Sequence, residues 1–521
     1  MSNRRHILGA ALLLLLGNLV SRLLGLIREQ VIAAFFGISV AVSAFGTAAR
    51  VPTMFYDLVI GGAVSAALVP VLSEYAESED ADGLGQVIGT LLVGAAMVLL
   101  VIVLLLLLAA VPLTDILLIQ AKSNDHTITL AFVRIVTPAL FFLGMSGVTA
   151  AVCYSRRWYA YPAVSIALYN AGLIATVVLT HRQLGPTSLV LGVVVGAMLQ
   201  FVAVVPGLRG IPIHWGFNPR HPAVARIIRL YAPVAAGLVI TEVGVIIDTN
   251  LAWGTGDQSV AIMRVATYLV QLPLGLVATG LSLAVLPILS RLVDDLPGFR
   301  HTLAIGLRLA LLGIIPVTVF LVAFAVPVIR LLFQRGAFDA TATSVTAAAF
   351  LLYAPQLPFV AVDQILVYAF YARKDTVTPM LVGLGGVGVY LASALTLIGP
   401  YHLGLSGLII ANTLQNSLHA VVLALLLGKS IGSLRGQGVG WTLARAVAAG
   451  LAAAGVAAAI RFAHPAPDST LHLLLYLIAC ALAVVVTYVV LLLLFGVEEA
   501  RLLPAFLRER VASRRTDRVV V

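Results

Sequence analysis

The chain has 521 residues, of which 61% are hydrophobic and only 10% charged, with a formal net charge of +10. Soluble globular domains carry about 25% charged residues, so composition excludes a soluble fold. Apolar runs near 20 residues recur throughout, which excludes a β-barrel built from alternating strands of about 10 residues.

Apolar runs between Pro, Gly and charged breaks predict an all-α polytopic membrane protein with fourteen transmembrane helices. They fall at 7–36, 38–70, 84–111, 127–154, 160–180, 186–206, 223–252, 262–289, 301–330, 343–371, 378–398, 404–428, 441–461 and 470–496. The start, "MSNRRHILGAALLLLLG", has the basic and apolar regions of a secretory leader, but no A-x-A cleavage pattern follows. It is therefore read as the first part of helix 1.

Helix 1 also contains "SRLLGLIREQ", Ser21–Gln30, which sets Arg22, Arg28 and Glu29 inside an apolar segment. A charge at the bilayer centre costs at least about 2.5–3.5 kcal/mol, so these groups should not face lipid. Ending the helix near Val20 would put them in an external loop, against the charge bias described below, and would leave too few apolar residues before helix 2. The reading adopted keeps them on helix 1, facing a solvated cavity. A six-residue spacing turns Arg22 and Arg28 about 120° apart, and a bend at Gly25 would bring both inward. Glu29 lies seven residues after Arg22, on the same face, where it can hold an arginine.

Helix 2 carries Arg50 and Asp57 with Pro52 between them. Helix 7 carries Glu242 and Asp248, helix 8 carries Arg264 with Tyr268 one turn on, and helix 10 carries Asp363. A cavity richer in arginine than in acid suits an anionic substrate, because the planar guanidinium matches phosphate or carboxylate with two parallel bonds.

Cys153 and Cys480 lie in separate apolar runs, and no Cys/His pattern suggests a metal or disulfide framework. No acidic pair occupies a long loop and no extramembrane segment would hold a nucleotide-sugar domain, so the chain is not read as an enzyme. The loops sort by charge. Arg4, Arg5, Arg156, Arg157, Arg209, Arg220, Arg226, Arg229, Arg291, Arg300, Arg373, Lys374, Lys429, Arg435 and the tail "RERVASRRTDR" share one side. The other has little beyond Lys122, Arg182, Arg330, Arg335 and Arg461. This bias puts both termini in the cytoplasm and assigns the net charge to membrane orientation, not to nucleic acid.

The chain also repeats itself. "SAALVPVLS" begins at Ser65 and "SLAVLPILS" at Ser282, an offset of 217 that also maps Pro138 to Pro355, Tyr154 to Tyr371, Arg156 to Arg373 and Pro162 to Pro379. Two six-helix lobes related by a pseudo-two-fold repeat follow, at 1–215 and 216–430, a transporter arrangement with its substrate site between the halves. Two extra C-terminal helices and a basic tail, 501–521, have no counterpart. Charges on helices 1, 2, 7 and 8 are then repeat equivalents and are expected to share that site.

"SRLLGLIRE", "VPVLSEY", "LPILS", "RGAFDATAT" from Arg335 and "YARKDTVTPM" from Tyr371 resemble the MurJ (MviN) lipid II flippases of the multidrug/oligosaccharidyl-lipid/polysaccharide exporter superfamily. The similarity covers helices 1 to 12. It implies translocation of undecaprenyl-pyrophosphate-linked peptidoglycan precursor across the cytoplasmic membrane by alternating access, serving cell-wall biogenesis and cell shape without ATP hydrolysis or a bound cofactor. Runner-up readings are a flippase for another polyprenyl-linked oligosaccharide and a small-molecule antiporter of the same fold.

The resemblance further implies that Arg22, Arg28 and Arg50 bind the headgroup, and that residues 431–500 form a groove for the lipid tail. It implies coupling to the membrane potential or to sodium, for which Asp248, Glu242 and Asp363 are the candidates. Expected partners are the lipid-linked glycan, membrane lipids and the cell-wall synthesis machinery, around a monomeric protein. Three positions depart from the family pattern: Asp57 and Tyr268 stand where arginines are usual, and Ser43 where an acid is usual. Arg264 is expected to supply charge beside Tyr268, and Asp57 to pair with Arg50.

Overall fold

A computed structural model describes residues 20–77, 81–434 and 436–500. The expectations for the N-terminal half of helix 1, for Arg4, Arg5 and Arg435 and for the basic tail lie outside these residues. Residues 20–36 form α1, an unbroken helix that continues through Gly25, so Arg22, Arg28 and Glu29 are helical and not in a loop.

Helix 2 is divided. α2 (Val40–Tyr56) contains a buried Pro52 and gives way to two π-helical turns, Asp57–Gly61 and Val64–Leu68, before α3 (Val69–Glu77). In these turns the bonds reach five residues back, as from the Gly62 N–H to the Asp57 carbonyl. π-bulges widen a helix and leave carbonyls poorly served, so they persist where a neighbour compensates.

α4 (Ala81–Leu108) and the short α5 (Ala110–Leu117) follow, then α6 (Ser123–Val136), α7 (Ala139–Ser155), α8 (Ala160–Leu184), α9 (Thr187–Val204) and α10 (Pro222–Thr255). The remainder is α11 (Ser259–Arg291), α12 (Leu296–Ala323), α13 (Ala325–Phe333), α14 (Ala340–Tyr353), α15 (Leu357–Ala372), α16 (Val377–Ile398), α17 (Gly404–Ile431), α18 (Val439–Ala463) and α19 (Thr470–Leu494).

Among the described residues, 11 helices are long and apolar enough to cross a membrane, or up to 12 when α6 and α7, bent by 40°, count as one span. These correspond in order to predicted helices 3 to 14. The prediction of fourteen differs at helices 1 and 2. Part of the first lies outside the described residues, and the second is cut by its π turns into pieces too short to qualify. The chain is a multi-pass membrane protein.

Secondary structure carries the sequence repeat. A shift of 217 residues places α6 on α14, residue for residue. The same shift takes Arg157, with φ 61°, to Lys374, with φ 62°, and Gly185 to His402, both with φ 53°. Left-handed backbone is uncommon outside glycine. Its recurrence at equivalent positions after α7 and α15, and again after α8 and α16, means that the tight turns were duplicated with the helices.

Packing groups the chain into two compact units. One comprises the residues up to Ile262 together with Arg335–Asp339, and the other Met263–Gln334 with the residues from Ala340 on. In the first, α8 and α9 cross closely because Gly172 and Gly196 meet; a Cβ on Gly196 would lie 2.6 Å from the Tyr169 carbonyl oxygen. The segment 335–339 docks on the end of α1 through an Ala337 N–H to Ala34 carbonyl bond of 2.8 Å. Gly37 and Gly336 both adopt positive φ there, and a Cβ on either would strike the opposing backbone. The "RGAFD" motif is thus a backbone clasp.

In the second unit, α19 buries one stripe: Leu473, Leu477, Cys480, Val484, Tyr488 and Leu492. Its remaining faces stay apolar and open, as a helix lying against lipid requires. α18 buries small residues, Ala446, Ala449, Gly450, Ala453 and Ala457, which let it approach α12; a Cβ on Gly450 would sit 2.9 Å from Ile315 Cγ2. Small residues allow such close contact where no hydrophobic effect draws helices together.

Candidate functional site

Glu29 sits on α1 with 3% of its side chain exposed. A carboxylate so buried needs a charge partner and hydrogen bonds. Arg28 supplies both: Nη2 donates to Glu29 Oε1 at 2.8 Å and Nε donates to the same oxygen at 3.1 Å. A third donor, Nη1, reaches Asn170 Oδ1 on α8 at 3.0 Å. Asn170 is buried, and its own Nδ2 is fixed on the Ile166 carbonyl. The guanidinium plane of Arg28 is therefore set by two helices. Arg28 keeps 22% of its side chain exposed, so this oriented cation is not sealed in. Arg22 is half-buried two turns earlier. The heptad spacing of Arg22 and Glu29 does not identify the observed partner, because the adjacent Arg28 reaches back along the helix to the carboxylate.

Arg50 on α2 is exposed, and Asp57 opens the first π turn. The expected pair does not form among the described residues. Regular α-helix joins the two, since the Asp57 N–H still bonds the Thr53 carbonyl, but the Asp57 side chain turns forward over Gly61, where a Cβ would lie 2.7 Å from Asp57 Oδ1. The Tyr231 hydroxyl on α10 donates to the Leu58 carbonyl and lies 3.3 Å from that of Asp57, bracing the π turn from a second helix. Glu242, also on α10, is half-buried and within electrostatic reach of both Asp57 and Arg50. α2 and α10 thus gather two carboxylates and one arginine. Asp248 lies farther along α10 and is half-buried.

Ser43 is fully buried at the start of α2, and its hydroxyl accepts the Ala261 N–H at the N-terminus of α11 at 3.2 Å. Nearby, Trp253 Nε1 donates to Thr47 Oγ1 at 2.9 Å. Serine thus takes the helix-capping task that an acid at this position can perform.

In the second unit, Arg264 and Tyr268 lie half-buried on α11, one turn apart. Asp363 on α15 pairs with His419 on α17, Nδ1 to Oδ1 at 2.7 Å, with side-chain exposures of 20% and 18%. One turn before His419, Asn416 donates to Gln356 Oε1 at 2.6 Å. Sequence reasoning missed Asn170, His419, Asn416 and Gln356. The available signal was polar side chains inside apolar runs, "IALYNAG" and "NTLQNSLH". The described residues hold no group of three or more His, Cys, Asp or Glu side chains able to bind a metal ion.

The profile of the family described as "Lipid II flippase MurJ" matches residues 32–493. Lipid II flippase MurJ of Burkholderia cenocepacia is 29% identical over 71% of this chain and 74% of its own length. The probable lipid II flippase MurJ of Haemophilus influenzae is 29% identical over 78% and 83%. A solved lipid II flippase MurJ in an inward closed conformation superposes with a TM-score of 0.76 at 19% identity, covering 92% of this chain and 99% of its own. An inward-facing MATE family transporter of the MOP superfamily gives 0.70 at 14% identity, with coverage of 80% and 95%. These two show the fold. With the profile spanning most of the sequence, the chain belongs to the MurJ lipid II flippase family.

Proposed function

We propose that this protein translocates lipid II, an undecaprenyl-pyrophosphate-linked peptidoglycan precursor, across the cytoplasmic membrane by alternating access. The observation that carries this reading is Arg28: a guanidinium oriented by a buried carboxylate and a buried amide on an apolar helix, in a chain of this family. Its donor plane is fixed before any ligand arrives, so little side-chain entropy is lost on binding a pyrophosphate.

Arg22, Arg28, Arg50 and Arg264 are assigned to the anionic headgroup, with Tyr268 supplying a hydroxyl beside Arg264. Glu29 is the positioning group for Arg28. Among the described residues Asp57 meets no arginine, and its place beside Glu242 fits it to cation binding rather than to pyrophosphate. Glu242, Asp248 and Asp363 are assigned to coupling with an ion or with the membrane potential. α18 and α19 are assigned to the lipid tail, whose apolar chain matches their open faces. Both termini are placed in the cytoplasm by the loop charge bias, and the protein acts as a transporter without enzymatic turnover or a resident cofactor.

Expression in a bacterium depleted of its own flippase tests this reading. Wild-type protein is expected to restore growth, and Arg22→Ala and Arg28→Ala to abolish rescue at equal membrane levels. Failure of the wild type would reject the function. Equal rescue by both variants would reject the arginine assignments.

A further inference from the structure

Across the nine helices α11 to α19 the sequence contains a single carboxylate, Asp363. The same helices hold three histidines, and among the described residues only His419 meets an acid: His301 bonds Gln437, and His472 stands in the first turn of α19. His419 lies 12 residues before Ile431, the last residue of α17, or about 18 Å along the helix axis. That depth is well inside the membrane-spanning part. Lipid penalises an intramembrane ionisable residue heavily, which makes such a residue a candidate for function.

The ring is held from two sides. Nδ1 faces Asp363 Oδ1 at 2.7 Å. An ionised carboxylate only accepts, so Nδ1 carries a hydrogen. The opposite edge, Nε2, faces α16: a Cβ on Gly383 would lie 3.8 Å from it, and the Pro379 carbonyl one turn earlier is a backbone acceptor for the same ring. A neutral imidazole donates from one nitrogen only, whereas an imidazolium donates from both. Two acceptors on opposite edges therefore form a receptor for the protonated ring.

The remaining surroundings are nearly free of charge. α16 contains no Asp, Glu, Lys, Arg or His, and α17 has only Lys429 besides His419, ten residues away. α14, which packs on α17, has no charged residue, while α12 brings Arg300, His301 and Arg308 and no acid. α11 meets α15 through Thr279 and Gln364 and carries Arg264, Tyr268 and Arg291. On α15 itself, Tyr371 is within electrostatic reach of Asp363, and Tyr368 packs edge-on against Tyr371.

We propose that Asp363 and His419 form a proton-binding couple, in which a proton taken up on His419 Nε2 ties α15, α16 and α17 together and its release frees α16. This deepens the transport reading and rests on it for the role of the proton in the cycle. Neutral His419 with ionised Asp363 carries one negative charge; uptake of one proton yields an imidazolium–carboxylate pair of net zero charge, with no bond broken and nothing oxidised. The neutral pair suits the closed, lipid-surrounded state. Release leaves a lone carboxylate that needs water, which favours an arrangement hydrated around it. Side-chain exposures near 20% leave a path for that exchange.

The full-length protein in lipid nanodiscs, labelled with nitrogen-15 histidine, tests the site directly. One imidazole resonance, missing in His419→Gln, is expected to titrate within about pH 5–8 and to move in Asp363→Asn. A His419 signal that stays constant over that range, or that ignores Asp363→Asn, overturns the proposal. Coupling is tested in proteoliposomes with a fluorescent lipid II, the membrane potential clamped to zero and a pH gradient imposed. Wild type is expected to respond to the gradient, Asp363→Asn and His419→Gln to lose the response while keeping passive exchange, and the exchanged pair Asp363→His with His419→Asp to regain it. An equal response in wild type and variants overturns the coupling. No translocation by wild type rejects the function instead, and the resonance then decides the proton site alone.

Discussion

Arg28 and Glu29 are neighbours in sequence and partners in space: one oxygen of the glutamate accepts two bonds from the guanidinium, at 2.8 and 3.1 Å. Adjacent residues on a helix point about 100° apart, so the contact requires the long arginine side chain to bend back toward its neighbour. Burial of Glu29 makes this favourable, since an unpaired carboxylate there would be costly.

Removing one partner should expose that cost. Glu29→Ala is expected to destabilise the folded protein by less than Arg28→Ala, because it leaves a partly exposed cation and not a buried anion. Loss of a buried partner costs about 3–5 kcal/mol, the range expected for Arg28→Ala. Glu29→Gln keeps an acceptor and should retain most of the stability while weakening the hold on the guanidinium. Thermal unfolding in detergent, beside growth rescue, checks the order; equal melting temperatures for all three variants would contradict it.

Ser43 caps the N-terminus of α11 from another helix. Ser43→Ala should strand the Ala261 N–H in a fully buried setting, at about 1–3 kcal/mol. Ser43→Thr keeps the hydroxyl and should fall between the wild type and alanine. Hydrogen exchange at the first turn of α11 is expected to rise in Ser43→Ala, and unchanged protection there would refute the capping role.

The clasp between 335–339 and the end of α1 rests on two glycines. At Gly336, φ is 56° and an added Cβ would overlap the Ala34 carbonyl oxygen. Gly336→Ala should therefore cost more than the roughly 1 kcal/mol of strain at a positive-φ site without a clash. Gly185→Ala is the control, since its φ is 53° and a Cβ there meets nothing. Comparable melting temperatures for the two variants would show that the clasp is yielding.

Asp375 lies between α15 and α16 and accepts from the Thr378 N–H at 2.9 Å and the Thr378 hydroxyl at 2.7 Å. These bonds hold its carboxyl below the usual carboxylate range. A depressed folded-state value means that the stabilisation is fully present above about pH 4 and is lost as pH falls through the folded value. The group is largely solvated, so Asp375→Asn should cost only about 0.5–1 kcal/mol at neutral pH. The melting gap between variant and wild type should close in acid; a gap that widens there would reverse the assignment.

Much of this architecture is legible in the chain itself. Helix positions follow from apolar length, because lipid leaves the backbone no partner but its own. The offset between Ser65 and Ser282 anticipates the matching of α6 with α14 and the paired left-handed turns at Arg157 and Lys374. That Arg22, Arg28 and Glu29 stay on a helix also follows from the sequence, since a loop there leaves too little apolar length for two spans.

Partner choice was decided by tertiary structure. Spacing on an ideal helix pairs Arg50 with Asp57, but Asp57 turns over Gly61, and Glu242 from α10 comes within electrostatic reach of Arg50. Asp363 reads as a lone acid until α17 brings His419 against it, 56 residues away. Asn170, 142 residues from Arg28, gives no sign of its role until α8 packs beside α1. Burial along one helix is set by local periodicity, and that is written in the chain. Which charge meets which depends on contacts between helices far apart in sequence, and on the cost of leaving any of those charges unpaired in a medium without water.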